Sequence, residues 1–446
     1  MLTTPFAWMQ RHLKGLRDRL HRRPGIRTAF VNTAWLLADK GLRMVLYVLV
    51  GAWVARHLGP NQYGQLAYVV ALVGFFQVVA GLGIDQILVR DLARDPATAS
   101  ALLGTSVRLR IGAGLAGWVM LAVLAVSLRP DDHVALVLAV ALGAGLVFQA
   151  ADVVDAWLMS RARSKVSVLP KACAYAGSAA IKILLIVEDA PLWAFGVALL
   201  GDSALVAAAL VWAYRREPTA ESWQWQSSRV RGLLWQAAPL LVSGLSVVVY
   251  MRIDQVLLRE LAGERALGLY SAILPFSQVW HIVPMTLCAS LLPRMAVLQA
   301  EDPGRYKLRL QQLFTLMAWG GVGAATLTAL AAAPLVEVLL GPEFTEATGV
   351  LRWHAVCNVF VFLGVAQSLA IVNAGNTGQA LFRTLCGAVT SIVMNLLLIP
   401  NWGVLGAAWA SIAAYFVASV ASNAIAAPGM LVMQLKAFWP FHVQRP

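Results

Sequence analysis

The stretch "NTAWLLADKGLRMVLYVLVGAWVARHLGP", residues 32–60, is long and apolar enough to cross a membrane as one helix, yet Asp39, Lys40 and Arg43 sit inside it. A spanning helix needs roughly 20 apolar residues, and each charge near its centre costs on the order of 3 kcal/mol by insertion scales. On a helix turning about 100° per residue, Asn32, Asp39, Lys40, Arg43 and Tyr47 fall within an arc of about 100°. Leu37, Ala38, Leu42, Val45, Val48 and Leu49 occupy the rest of the circumference. The helix is therefore amphipathic inside a membrane, and its polar arc lines water or another polar surface. The plainer account is a local Asp39–Arg43 pair, which leaves Lys40 without a partner.

The rest of the chain has the same character. Of its 446 residues 59% are hydrophobic and 13% charged, where soluble domains run near 45–50% and about 25%. Apolar stretches fall at about 31–55, 65–88, 109–128, 134–158, 167–187, 191–213, 233–257, 268–291, 310–335, 347–371, 380–400 and 403–427. This is an all-α polytopic membrane protein with about 12 transmembrane helices, both termini on one side. Its formal charge of +13 needs no nucleic-acid partner, because Lys and Arg gather in cytoplasmic loops. Alternate connections carry Arg90 and Arg94; Arg161, Arg163 and Lys165; Arg215, Arg216, Arg229 and Arg231; and Arg294, Arg305, Lys307 and Arg309. The other connections are short and include the acidic-leaning "RPDDH", "VEDAP" and "GPEFTEA". The pattern predicts cytoplasmic N- and C-termini.

An internal repeat divides the chain. "ARHLGPNQYGQLAYVVALVGFFQVV", leaving the first helix, returns about 200 residues later as "LRELAGERALGLYSAILPFSQVW". "KILLIVEDAPLWAFGVALL" is echoed by "NLLLIPNWGVLGAAWAS". The predicted organisation is a basic cytoplasmic segment at 1–30, an N-lobe at 31–214, a polar cytoplasmic linker at 215–232, a C-lobe at 233–427 and a cytoplasmic tail at 428–446. The first segment reads equally as an interfacial amphipathic helix or a solvated basic tail. Six helices per half give parallel repeats about an axis along the membrane normal, related by a pseudo-two-fold, with a cavity between them.

Further charges enter the spans. Lys182 lies mid-span in the fifth helix and aligns with Asn395 in the eleventh. Arg252 and Asp254 end the seventh helix, whose stripe of Gln236, Ser243, Tyr250 and Asp254 matches that of the first. Arg352 enters the tenth helix, Asp152 and Asp155 the fourth, and Asp85 follows the second. Lys171, Arg252 and Arg383 could equally snorkel to an interface. Lys40, Arg43, Lys182, Arg252 and Arg352 are the candidate cavity cations, suited to an anionic substrate such as a phosphate or pyrophosphate head group. Asp39, Asp85, Asp152, Asp155 and Asp254 are the cavity acids that could bind a coupling proton or sodium ion.

No enzyme motif stands. "GAGLAG" at 112–117 matches the dinucleotide pattern but lies within an apolar run with no preceding strand; small residues that let helices approach explain it. The four cysteines share no metal or redox spacing. His281 and His354 stand apart from each other and read as packing or hydrogen-bonding residues.

"ARHLGPNQYGQLAY", "GLGIDQILVRDLAR" (81–94), "RIDQVLLRELAGERALGLYSA" (252–272), "GPEFTEATGVLR" (341–352) and "NLLLIPNWGVLGAAWAS" (395–411) together resemble the bacterial oligosaccharide–lipid flippase family of the multidrug/oligosaccharidyl-lipid/polysaccharide exporter superfamily. The resemblance runs from about 30 to 427. It implies two six-helix lobes in a V around a cationic cavity, and movement of an undecaprenyl-pyrophosphate-linked oligosaccharide across the bacterial inner membrane for O-antigen or exopolysaccharide synthesis. It further implies alternating access driven by a proton or sodium gradient, no cofactor, and membrane lipids, a polysaccharide polymerase and chain-length proteins as partners. Lipid II flippases generally have fourteen helices, and this length leaves no space for two more. Lys40, Arg43 and Lys182 would neutralise the head group, with Asp39 holding the first two in position. A multidrug exporter of the superfamily, or a membrane polysaccharide polymerase or ligase, are the competing expectations.

Overall fold

The computed structural model describes residues 24–128, 132–218 and 222–439. The basic segment's first 23 residues and the end of the tail lie outside them. Among the described residues, ten helices are long and apolar enough to span a membrane, and two of these, Ala34–Arg94 and Gly378–Ala426, are long enough to do so twice. Each doubles back at a glycine of positive φ, Gly59 (φ 69, followed by Pro60) and Gly403 (φ 52). A Cβ strains that conformation, so glycine serves the turn. The described residues thus make twelve spans. The described ends therefore share one face, called the terminal face below; the opposite one is the far face. Contacts mark both: Asn32 accepts from the Ser164 amide (2.7 Å) at the terminal face, and His57 meets the Ala190 carbonyl (3.2 Å) at the far face.

The repeat is visible in the backbone. Gly263 (φ 88) turns the seventh span into the eighth as Gly59 turns the first into the second. Asp189 (φ 51) between the fifth and sixth spans has its counterpart in Gly403 between the eleventh and twelfth. The lobes also meet reciprocally. A methyl on Gly64 would overlap the Glu264 carbonyl, and one on Gly268 would overlap that of Pro60. Gly64 and Gly268 are repeat counterparts, as are Pro60 and Glu264, so this far-face contact is the same patch used twice. Parallel lobes related by a pseudo-two-fold along the membrane normal produce such a contact.

The seal continues beside it. Gln65 donates to Glu264 (2.7 Å) and Tyr68 to Glu260 (3.0 Å). Arg259, almost fully buried, pairs with Asp132 of the N-lobe and with Glu264 (3.0 Å), its guanidinium 4.1 Å over the Tyr68 ring. Along one seam the second and seventh spans stay together: Gly83 lies against Ala237 and Leu241, Gly244 against Val78, and Gly74 against Arg252. Along the other seam only the far half closes. There Ala52 and Ala55 of the first span pack with Leu269 and Ile273 of the eighth. Past the bend at Val279–His281, the eighth span's Cys288 and Met295 turn to Leu313, Phe314 and Phe362 of the ninth and tenth. The first and eighth spans thus part in the terminal half.

Two connections differ from expectation. The linker is partly an N-lobe element: the Gln224 amide donates to Ser100 (3.1 Å), the Gln226 amide to Thr105 Oγ1 (3.1 Å), and Gly104 leaves room for the Gln224 backbone. Within the expected tail, Pro428–Ala437 is a helix whose Gln434 is buried on Asn423 (2.9 Å), because its apolar side packs on the ninth span.

Candidate functional site

The first span is exposed on two separate arcs in its terminal half. Leu42, Val45 and Leu49 form an apolar arc that continues to Trp53; this side suits lipid. Lys40, Arg43 and Tyr47, exposed too, lie about 150° away by helical geometry. Farther along, that second direction is filled, since Val50, Val54 and Leu58 are buried in the N-lobe core. A polar side is therefore accessible from the terminal face and blocked toward the far face.

The acids have other duties than expected. Asp39 neither holds Lys40 nor pairs with Arg43; it accepts from Lys171 of the fifth span (3.0 Å), which also donates to Asp155 of the fourth (2.9 Å). Lys171 is 5% exposed, so it does not snorkel. Two carboxylates from two other spans satisfy its ammonium, which is why the side chain turns inward. Each carboxylate keeps one buried oxygen without a hydrogen bond. Asp152 lies in the field of Arg110, Asp85, Asp155 and Lys171. Asp85 pairs with Arg110 (2.5 Å), which also donates to the Gly81 carbonyl (3.2 Å). Asp254 is no cavity acid: it is buried within the C-lobe, accepting from Tyr270 (2.5 Å) and Ser411 (3.0 Å).

Among the cations, Arg43 extends over the Tyr175 ring (5.9 Å), and Lys40 is exposed on the same arc. Lys182 does not converge with them. It pairs with Asp202 (2.5 Å), which also accepts from Ser178. Lys182 precedes the far-face turn at Asp189 by about 7 residues and Lys40 precedes Gly59 by about 19, which separates them by roughly 18 Å along the normal. Arg252 lies against Gly74 in the closed seam, where a Cβ on that glycine would sit 2.9 Å from its Cδ. Arg352 is exposed at the far interface: its neighbour Trp353 meets Trp409 edge to face (6.0 Å), and that ring meets Trp402 likewise (5.5 Å) beside the Gly403 turn. The seventh span's stripe is also divided, because Gln236 accepts from Arg90 (2.7 Å) across the lobes while Tyr250 packs on Tyr415 (5.5 Å). Sequence reasoning missed Lys171, Arg110 and Arg259 as buried charges; Lys171 and Arg110 stand within apolar stretches, whereas Arg259 lies just past one and carries no such signal.

Comparison with known proteins places this geometry. An inward-facing MATE multidrug resistance transporter of the MOP superfamily superposes with a TM-score of 0.72, at 14% identity, covering 89% of this chain and 95% of that one. The lipid II flippase MurJ in an inward closed conformation gives 0.68, at 11% identity over 91% of each chain. An outward-facing MATE transporter gives 0.62, at 14% identity over 92% of this chain and 96% of that one. A search of curated proteins finds no match. The profile of the family described as polysaccharide biosynthesis protein matches residues 53–349. That match spans most of both lobes and two thirds of the chain, and the chain therefore belongs to the polysaccharide biosynthesis protein family, with a fold like those of the MATE transporter and MurJ.

Proposed function

We propose that the protein is a flippase that carries an undecaprenyl-pyrophosphate-linked oligosaccharide across the bacterial inner membrane by alternating access. The observation that carries this reading is the second, cationic exposure of the first span, at Lys40 and Arg43, in the half where the first and eighth spans part. An anionic head group reaches those cations from the terminal face while the prenyl tail remains in lipid beside Leu42, Val45 and Leu49. The terminal face is cytoplasmic because its connections hold the Arg and Lys clusters. The terminal gap then closes and the far-face seal parts to release the head group on the periplasmic side. A polymerase and chain-length proteins would consume the product.

The charge inventory favours an anion over the organic cation of a drug exporter. Asp39 and Asp155 are both engaged by Lys171, whereas Lys40 and Arg43 are exposed with no carboxylate within ion-pair distance among the described residues. Lys40→Ala/Arg43→Ala should abolish surface polysaccharide and accumulate the lipid-linked intermediate, with membrane levels of the protein unchanged. Full export by that variant would refute the assignment, and drug hypersensitivity with normal polysaccharide would favour the exporter.

A further inference from the structure

The far end of the first span borders a groove of about 350 Å³ lined by Trp53, Arg56, His57 and Ile186. Trp53 ends the apolar arc of Leu42, Val45 and Leu49, so the groove opens on the side of the span that faces lipid. Arg56 precedes the Gly59 turn by about 3 residues, roughly 5 Å along the normal, which sets it at the far interface. Trp193, in the first turn of the sixth span, is exposed as well, and exposed indoles at that level mark the head-group region. The opening beside Lys40 is about 16 residues away along the same span, roughly 24 Å.

Arg56 is not a free surface arginine. Its Nη1 donates to the Val338 carbonyl of the C-lobe (3.2 Å), and its Nε lies 3.4 Å from where a Cβ on Gly341 would stand. The guanidinium is held across the seam, yet it makes no ion pair among the described residues. A guanidinium has five N–H donors, and the Val338 carbonyl takes one of them. His57 beside it is fixed too, with Nε2 on the Ala190 carbonyl (3.2 Å) and its ring against Phe195 (5.4 Å).

An acid stands next to that histidine. Asp189 Oδ1 is 3.8 Å from His57 Nε2, and its side chain is 97% exposed. Asp189 has a positive φ (51) at a turn whose repeat counterpart is Gly403. Glycine serves such a turn without strain, so the backbone alone gives no reason for a carboxylate there. Glu188 is exposed beside it, and a Glu343 carboxylate oxygen lies 2.9 Å from where a Cβ on Gly59 would stand.

This pattern selects an occupant. Trp53, Leu184 and Val187 are exposed and apolar, which suits the chains of a lipid in the far leaflet. The arginine suits a phosphate. The carboxylates around it repel a lipid of net negative charge and attract an ammonium. An aminophospholipid carries both charges on one head group, and a primary ammonium has three N–H donors.

We propose that this groove binds a zwitterionic aminophospholipid of the far leaflet, with its phosphate on Arg56, its ammonium at Asp189 and one chain along Trp53. The bound lipid covers the seam where Arg56 reaches Val338.

The test uses the full chain in nanodiscs with phosphatidylethanolamine, phosphatidylcholine or phosphatidylglycerol bearing a photoactivatable group on one chain. Mass spectrometry quantifies the crosslinked peptides. In the wild type, phosphatidylethanolamine should label the peptides bearing Trp53 and Val187 several-fold more than either other lipid. Phosphatidylcholine has an ammonium without N–H donors, and phosphatidylglycerol has no ammonium. Asp189→Gly should cut phosphatidylethanolamine capture at these peptides roughly ten-fold, the scale of one charged hydrogen bond, and should not lower phosphatidylglycerol capture. Because glycine relieves the positive φ, this variant should melt no lower than the wild type, which separates a lost ligand from a lost fold. Arg56→Gln should cut the capture of all three lipids there, and Arg56→Lys should restore much of it. Equal capture of the three lipids by the wild type, a preference for phosphatidylglycerol, or an unchanged phosphatidylethanolamine preference in Asp189→Gly would each overturn the site.

Discussion

Replacing Lys171 by Met should destabilise the N-lobe strongly. Lys171 is 5% exposed and donates to Asp39 at 3.0 Å and Asp155 at 2.9 Å. Methionine keeps the length of the side chain and removes the ammonium, so two carboxylates from different spans are left facing one apolar tip. Removing one partner of a buried ion pair costs about 3–5 kcal/mol. Each carboxylate also has a buried oxygen with no hydrogen bond already, so neither has a spare donor to fall back on. For a unit of about 150–250 residues, 1 kcal/mol moves the melting temperature by roughly 2–4 °C, so the expected fall is on the order of 10 °C.

The assay is thermal unfolding of purified protein in one detergent, followed by monodispersity. The control decides the cause. Lys171→Met/Asp155→Asn removes one of the two stranded charges and should melt higher than Lys171→Met alone. If the loss came from packing, the second substitution would add to the damage. A single variant melting within a degree or two of the wild type, or a double variant less stable than the single, would refute the ion-triad account.

Lys182→Met/Asp202→Asn should retain polysaccharide export near the wild-type level, because the pair compensates itself far from Lys40; a null phenotype with normal protein levels would return Lys182 to the substrate path. Asp132→Asn should weaken the far-face seal held by Arg259, raising the labelling rate of a cysteine placed at Gln65 several-fold, where an unchanged rate would show that the ion pair does not hold the face shut. Gly268→Ala should impair export severely while the protein still reaches the membrane, since its methyl would overlap the Pro60 carbonyl; normal export would show that the close lobe contact is dispensable.

The spans were legible because burial in lipid leaves a length-and-composition signature that needs no partner. The repeat was legible for a related reason: the turns at Gly59 and Gly263 demand the same backbone and so preserve the same local sequence. The ionic partners were not. A helical wheel places Asp39 on the arc of Arg43, but the carboxylate goes to a residue 132 positions away. A lone lysine such as Lys171 has a stem long enough to point either way, and the direction is set by what neighbouring spans offer. Lys182 groups with Lys40 as a cation within an apolar span, although its distance from the Asp189 turn places it at another depth. Arg352, in turn, reads as a cavity cation at the entry of the tenth helix until Trp353 and Trp402 show where the interface lies.

The far-face contact explains why one seam opens and the other does not. Gly64 and Gly268 bring the second and eighth spans together at the pseudo-two-fold, so the lobes touch at a narrow pivot with little side chain between backbones. A rigid rotation about that pivot would open both seams alike. The terminal helix Asp85–Arg94 prevents this, because Arg90 reaches Gln236 of the seventh span and Gly83 admits Leu241 beside it. The strap at 222–226, bonded to the third span, fixes the entry of the seventh span to the same side. The movement remaining to the lobes is a hinge along the second and seventh spans that parts the first from the eighth. A lipid whose head group must enter while its tail stays in the bilayer needs a lateral opening of this kind, because a chamber open only to water would strip the tail of its lipid surroundings.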